Sequence, residues 1–282
     1  MGSFIGHAVP GIMFFLASIW WLIGALRRTF WYHKSFQRQP LLQRRQNNTT
    51  NLPQHRAVFS LNRGRTAKIP FEPIAKIGLC VIGVLGELLY EKQWVLIHNG
   101  FVDKHLNNYA HASMYCMFGL SGVVDLLMYY RVAPLPTGVD HLFLALAFFV
   151  EGMLFYFHLD GRPEISVRVH TFLYMTSFIT CLILLAEMKA TRALIHTFSR
   201  AFLTSLQGTW FFQVAFVLHG FERWENSRAN IEFIAIAFVW HVLILASLYL
   251  VIFVVSYRVY CMKTSQGPQE INEDEATDDE FE

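Results

Sequence analysis

The apolar positions of this chain gather into long runs, and the charged positions gather between them. Several runs hold roughly 18–22 residues with few or no charges, which as helices would each cross a bilayer core. The pattern predicts seven helical spans, near residues 9–26, 73–90, 109–130, 139–158, 168–188, 201–219 and 231–256. The stretch from Phe148 to His170 shows the pattern most clearly. An apolar helix there leaves the membrane, turns at Asp160-Gly161-Arg162-Pro163, and a second helix re-enters behind His170.

Composition agrees with the patterning. The 282 residues are 54% hydrophobic and only 16% charged, where a soluble domain carries about 25% charged residues. The expected fold class is therefore all-α, a seven-transmembrane-helix bundle. The net charge of +2 decides little, because orientation follows the distribution of Lys and Arg rather than their sum. Residues 27–71 hold Arg27, Arg28, Lys34, Arg38, Arg44, Arg45, Arg56, Arg63, Arg65 and Lys68, and no acid precedes Glu72. That asymmetry places the stretch in the cytosol, the N-terminus outside or lumenal, and the C-terminus in the cytosol. The short loops alone would not settle the orientation. No basic residue precedes the first apolar run, the reverse of a secretory signal, so that span is expected to be retained.

Four parts follow: an outside N-terminus with the first helix (1–26), a basic cytosolic loop (27–71), a six-helix region (72–258), and an acidic disordered tail (259–282). The loop is expected to lie against anionic lipid headgroups. Its Asn47-Asn48-Thr49-Thr50 sequons would go unused on the cytosolic side. Interleaved aromatic and basic residues there are too weak a pattern for a nucleic-acid site. The tail, EINEDEATDDEFE, would suit a trafficking adaptor or be simply a solvated end. Cys80, Cys116 and Cys181 fall within spans and make no disulfide framework. Cys261, beside Arg258 and Lys263, is a candidate for lipidation.

Polar residues inside the spans carry whatever chemistry the chain has. A carboxylate deep in an apolar helix is costly unless buried with a partner. Glu151 and His158 are seven residues apart, two turns of one helix, and share a face. On the assumed threading Glu87, His111, His158 and His170 lie near the outer boundary. Glu151, Gln213 and His241 lie roughly 9–15 Å below it at 1.5 Å per residue. These seven residues are the candidate polar pocket, with Gln213 and His241 the expected partners of Glu151. Gly78, Gly83, Gly86, Gly119, Gly122 and Gly208 are expected at close helix contacts. Trp20, Trp21, Trp94 and Trp224 are expected at the membrane interfaces.

Two readings of the polar residues stay open. They could join helices or hold a small ligand with no cofactor. Alternatively His111, Glu151, His158, Asp160 and His170 could serve a zinc- or haem-dependent membrane enzyme or a proton-coupled transporter. No HExxH or HxxxH pair occurs, so zinc ligands would have to come from separate helices. No residue is assigned a catalytic role.

Five sequence blocks carry a family resemblance: GHAVPG at the start, AHASMYCMFGLSGVVDLL, FFVEGMLFYFHLDGR with its later Val169-His170, LQGTWFFQVAFVLH, and Trp240-His241. Together they make the chain resemble the transmembrane protein 45 family, which includes transmembrane epididymal protein and shares a domain of unknown function. The resemblance implies a multi-pass protein of endomembranes or the cell surface, with no established activity or cofactor. The first functional expectation is a membrane-organising or trafficking-associated protein whose polar pocket is structural or binds a small ligand. Relatives often carry paired histidines where this chain has Ala110-His111, and His-x-His-Gly-Arg where it has His158-Leu159-Asp160-Gly161-Arg162. If those histidines ligate a metal, Asp160 can replace one and Ala110 cannot.

Overall fold

The computed structural model describes residues 3–38, 56–58, 69–89, 94–98, 100–190 and 193–265. These contain seven helices and no strand: α1 (Phe4–Arg38), α2 (Phe71–Leu89), α3 (Asp103–Tyr129), α4 (Val139–Phe157), α5 (Glu164–Lys189), α6 (Leu194–His219) and α7 (Arg228–Ser265). Six are long and apolar enough to cross a membrane; α2 is the exception. Its Glu72, Lys76 and Glu87 interrupt an otherwise apolar helix. α1 continues to Arg38 and α7 to Ser265, beyond the span limits expected from hydropathy. Most of the basic stretch and of the acidic tail lies outside the described residues, and with them the headgroup and adaptor expectations.

Neighbouring helices in sequence pack together from α2 to α7, and α1 returns to lie along α6. The turn expected at 160–163 is present: His158 ends α4, Gly161 takes φ +71°, and α5 begins after Pro163. Pro163 suits a helix start, where no N–H is needed. Gly138, at φ +88° ahead of α4, is required twice over. A Cβ there would also lie 2.8 Å from Met188 Cγ.

The closest helix pairing is α1 against α6, running antiparallel. A Cβ on Gly208 would sit 2.7 Å from the Phe15 backbone N, and one on Gly11 3.1 Å from Phe211 Cβ. Small residues let the backbones approach this closely. Ser205 of α6 then bonds Ser18 of α1 and Tyr249 of α7, each at 2.7 Å. Gly83, Gly119 and Gly122 do lie at the α2–α3 contact, against Tyr115, Cys80 and Ile77. Gly78 and Gly86 do not. A Cβ on either meets nothing within 4 Å, because both lie on the open side of α2.

Two apolar clusters form the interior, one around Phe155, Val169, Trp210 and Val214, the other around Trp21, Leu144, Phe148 and Leu184. Outward faces remain apolar, as on α7 at Val239, Leu243, Leu250 and Val251. An apolar surface of this extent suits lipid rather than water. Trp20 and Trp21 have a more specific role than interfacial anchoring. Their indole N–H groups donate to the two oxygens of Glu72, each at 2.8 Å, and join α1 to α2.

Candidate functional site

Three groups of polar side chains inside the bundle matter most here, and members of the first two line a cavity of about 440 Å³. The cavity lies between α1 and α2–α4, with Phe211 of α6 and His170 of α5 also on its wall. Its volume is within the usual range for small-molecule sites.

The first group occupies one end of the bundle. Glu87 of α2 accepts from Asn108 Nδ2 at 2.8 Å and from His111 Nδ1 at 3.2 Å. The His111 ring lies 5.8 Å from that of His158, which lies 5.8 Å from that of His170, both pairs tilted. His170 meets His7 at 5.7 Å, and His7 meets His219 at 5.3 Å. The structure thus places Glu87, His111, His158 and His170 at one end of the bundle, with His7 and His219 beside them. Arg162 Nη2 donates to His158 Nε2, and its Nε donates to the His158 carbonyl at 2.8 Å. His158 lies one residue past the apolar span Val139–Phe157. Burial, followed by the charge of Arg162, pushes its pKa down to about 3. Burial likewise lowers that of Arg162.

Glu151 is the second group. It lies on the face of α4 that also carries Leu144, Phe148 and Phe155 to the cavity wall, a spacing of i, i+4, i+7 and i+11. The side chain is 2% exposed, and its Oε2 accepts from Gln207 Nε2 at 2.7 Å and Ser177 Oγ at 3.0 Å. Gln207 also donates to Ser177 at 2.9 Å, closing a triangle across α4, α5 and α6. The partners expected from depth are elsewhere. His241 meets Thr209 Oγ1 at 3.1 Å and the edge of Trp210. Gln213 is partly buried and makes no hydrogen bond to a described residue. Gln213 lies on another face of α6 from Gln207, and α7, which carries His241, packs on α5 and α6 rather than on α4.

The third group lies at the opposite end, where the sequence places Asp140, His141 and Glu187, and its centre is Arg200, which the sequence alone does not mark as buried. Arg200 of α6 and Glu187 of α5 are buried and face each other at 3.2 Å. Thr197 Oγ1 donates to Glu187 Oε1 at 2.7 Å, and the Arg200 guanidinium lies 4.4 Å over the Trp21 ring. Arg200 Nη1 donates to the Ala57 carbonyl at 3.0 Å, while the Ala57 N–H donates to Asp140 Oδ2 at 2.8 Å. Asp140 in turn holds His141 Nδ1 at 3.0 Å. A short piece of the basic stretch is thereby pinned into the bundle. In the sequence Arg200 stands just before the apolar run 201–219, the position of an ordinary loop cation. The signal lay in its spacing: Arg200, Thr204, Gln207, Phe211 and Val214 form one helical face, and all are buried.

The five residues named as metal candidates do not assemble as one set. Asp160 is exposed at the turn, and Glu151 is engaged with Ser177 and Gln207. Among the described residues no three His, Cys, Asp or Glu side chains converge as a metal-holding group. Cys261 lies partly buried on α7, and the four cysteines form no disulfide.

The apolar helices, their lipid-suited outer faces and the paired polar residues within define a multi-pass helical membrane protein. Comparison with known proteins identifies its relatives. Residues 137–254 match a family of unknown function, DUF716. The chain is 26% identical over 273 residues to transmembrane epididymal protein 1A of Mus musculus, covering 91% of this chain and 81% of that protein. It is 26% identical over 200 residues to transmembrane epididymal protein 1 of Homo sapiens, covering 68% and 71% respectively. The Rattus norvegicus protein of the same name is 25% identical over 286 residues, 95% of this chain and 86% of that protein. These matches bear out the resemblance to the transmembrane protein 45 and transmembrane epididymal protein family.

Proposed function

We propose that this protein spans the membrane seven times, N-terminus outside, and holds a small, largely apolar molecule taken from the bilayer. The observation that carries the binding reading is the cavity of about 440 Å³, whose wall is mostly aliphatic and aromatic. Phe14, Phe118, Phe148 and Phe211 form a belt around it, with ring centroids 5.1–5.9 Å apart in contacting pairs. A few placed polar groups in an apolar cavity are the usual composition of a ligand site.

Support for α2 as a seventh span comes from its three charges, each of which meets a partner inside the bundle. Glu72 meets Trp20 and Trp21, Lys76 meets Asp125 at 2.6 Å, and Glu87 meets Asn108 and His111. Paired in this way, such residues can be carried across a membrane. The orientation rests on the basic stretch after α1.

The test is retention of lipid by the purified protein. Ala75 lines the cavity, so Ala75→Phe should fill part of it. Protein reconstituted in nanodiscs and extracted with solvent should yield a stoichiometric apolar ligand by mass spectrometry, and Ala75→Phe should lose it. Equal recovery from both would refute the binding reading. A second reading, proton movement, has its own observation in the five imidazoles in ring contact from His219 to His111. Histidine chains in membranes serve as proton relays. Acidification of dye-loaded liposomes, lost on His170→Phe, would favour it instead.

A further inference from the structure

Glu151 stands on the cavity wall with its hydrogen bonding incomplete. Its partners are the Ser177 hydroxyl and the Gln207 amide, both donating to Oε2. Neither is a cation. An ionised carboxylate held only by neutral groups inside a membrane protein is far costlier than the neutral acid. The carboxyl therefore carries its proton, and since Oε2 already accepts two hydrogen bonds, the proton sits on Oε1. That hydroxyl makes no hydrogen bond to a described residue. It is not closed off inside the protein either, and the space it reaches is the cavity.

From this geometry we infer that the Glu151 hydroxyl donates a hydrogen bond into the cavity, and that the ligand is an apolar molecule bearing a carbonyl oxygen to receive it. The inference rests on the binding reading above and adds the class of ligand to it. Ser177 and Gln207 fix the plane of the carboxyl, so the O–H is aimed before the ligand arrives. A carboxylic acid kept neutral by an apolar site is an effective donor. On the same face of α4 the wall continues as Leu144, Phe148 and Phe155, which offer no acceptor. A carbonyl, which only accepts, fits there without leaving a proton of its own unpaired. Leu16 of α1 and Leu79 of α2 line the cavity yet are 58% and 43% exposed, so the cavity opens between these helices toward the bilayer, where such molecules dissolve. An apolar molecule without an acceptor leaves the Glu151 hydroxyl dry. A site built for a hydrogen bond rejects the analogue lacking it for that reason.

The experiment compares radiolabelled methyl dodecyl ketone with the alkene of the same skeleton that carries CH₂ in place of the carbonyl oxygen. Wild-type protein in dodecyl maltoside should bind the ketone about fivefold more tightly, the worth of one hydrogen bond between neutral groups. Infrared spectra of the same sample should show a carboxylic-acid band that is lost in Glu151→Gln. Adding the ketone with carbon-13 at its carbonyl, which moves its own band away, should shift that acid band, and adding the alkene should not. Absence of the band would mean an ionised Glu151 and would overturn the inference. A band that ignores the ketone would remove Glu151 as its partner. Equal binding of ketone and alkene would overturn the selectivity while leaving the cavity a ligand site. Binding of neither would overturn this inference and, with unchanged extracts from Ala75→Phe, the binding reading as well. The affinity ratio and the response of the band are both read on the wild type.

Discussion

Arg200 of α6 and Glu187 of α5 face each other at 3.2 Å, and neither side chain reaches solvent. The pair is tied to two further elements, through Trp21 on α1 and the Ala57 carbonyl in the basic stretch. Removing one partner of a buried pair leaves the other charged and unpaired, which costs about 3–5 kcal/mol. Arg200→Met should therefore lower the thermal midpoint sharply in detergent, read by fluorescence-detected size exclusion after heating. The double variant Arg200→Met/Glu187→Leu should recover part of the loss. If the single variant melted like wild type, the pair would have no structural weight.

The α1–α6 contact gives a graded test at glycines. Gly208→Ala brings a methyl group to 2.7 Å from rigid backbone, and overpacking of this kind costs about 1–3 kcal/mol. Gly11→Ala faces 3.1–3.2 Å contacts and should cost less. Gly78→Ala opens onto space, and replacing an interior helical glycine there should be neutral or gain up to about 1 kcal/mol. Thermal midpoints should rank Gly208→Ala lowest and Gly78→Ala highest.

Glu151 separates hydrogen bonding from charge. Glu151→Gln keeps an acceptor for Ser177 and Gln207 and should be recovered in normal yield. Glu151→Leu leaves those donors buried without an acceptor, at about 1–3 kcal/mol for each group so exposed. Its yield of monodisperse protein should fall. Equal yields from both variants would mean that the triangle across α4, α5 and α6 does not hold them together.

His158 gives stability a pH dependence of definite sign. Its folded pKa, lowered to about 3 by burial and Arg162, lies below the ordinary histidine value of 6.5. Between these values the unfolded chain binds the proton and the folded one does not, so stability falls as the pH drops from about 6.5 toward 3. Its contribution is fully present above pH 6.5. Arg162→Gln removes the neighbouring charge, raises the His158 pKa and should flatten that slope in pH-dependent melting. An unchanged slope would assign the acid sensitivity to other groups.

Topology is open to direct mapping. A glycosylation acceptor introduced ahead of His7 should be modified, and Asn47 and Asn48 should not be. Modification at either asparagine in intact cells would reverse the proposed orientation. It would also place the histidine end of the cavity on the cytosolic side.

The sequence by itself determined the helical membrane class, the positions of seven helices and the turn at Asp160–Pro163. These follow from hydropathy and from residues acting on their own backbone, and neither depends on a neighbour. It also marked Glu87, His111, His158 and His170 as one level, because depth along a helix is a linear function of residue number. Which side chains actually meet was decided by tertiary packing. Gln207 reaches Glu151 while Gln213 does not, six residues further along the same helix. Depth leaves the angle around the helix axis undetermined, and that angle is set when Gly11 and Gly208 bring α1 against α6. Arg200 shows the same limit from the other side. A cation at the edge of an apolar run looks identical in sequence whether it faces water or, as here, a carboxylate on the next helix.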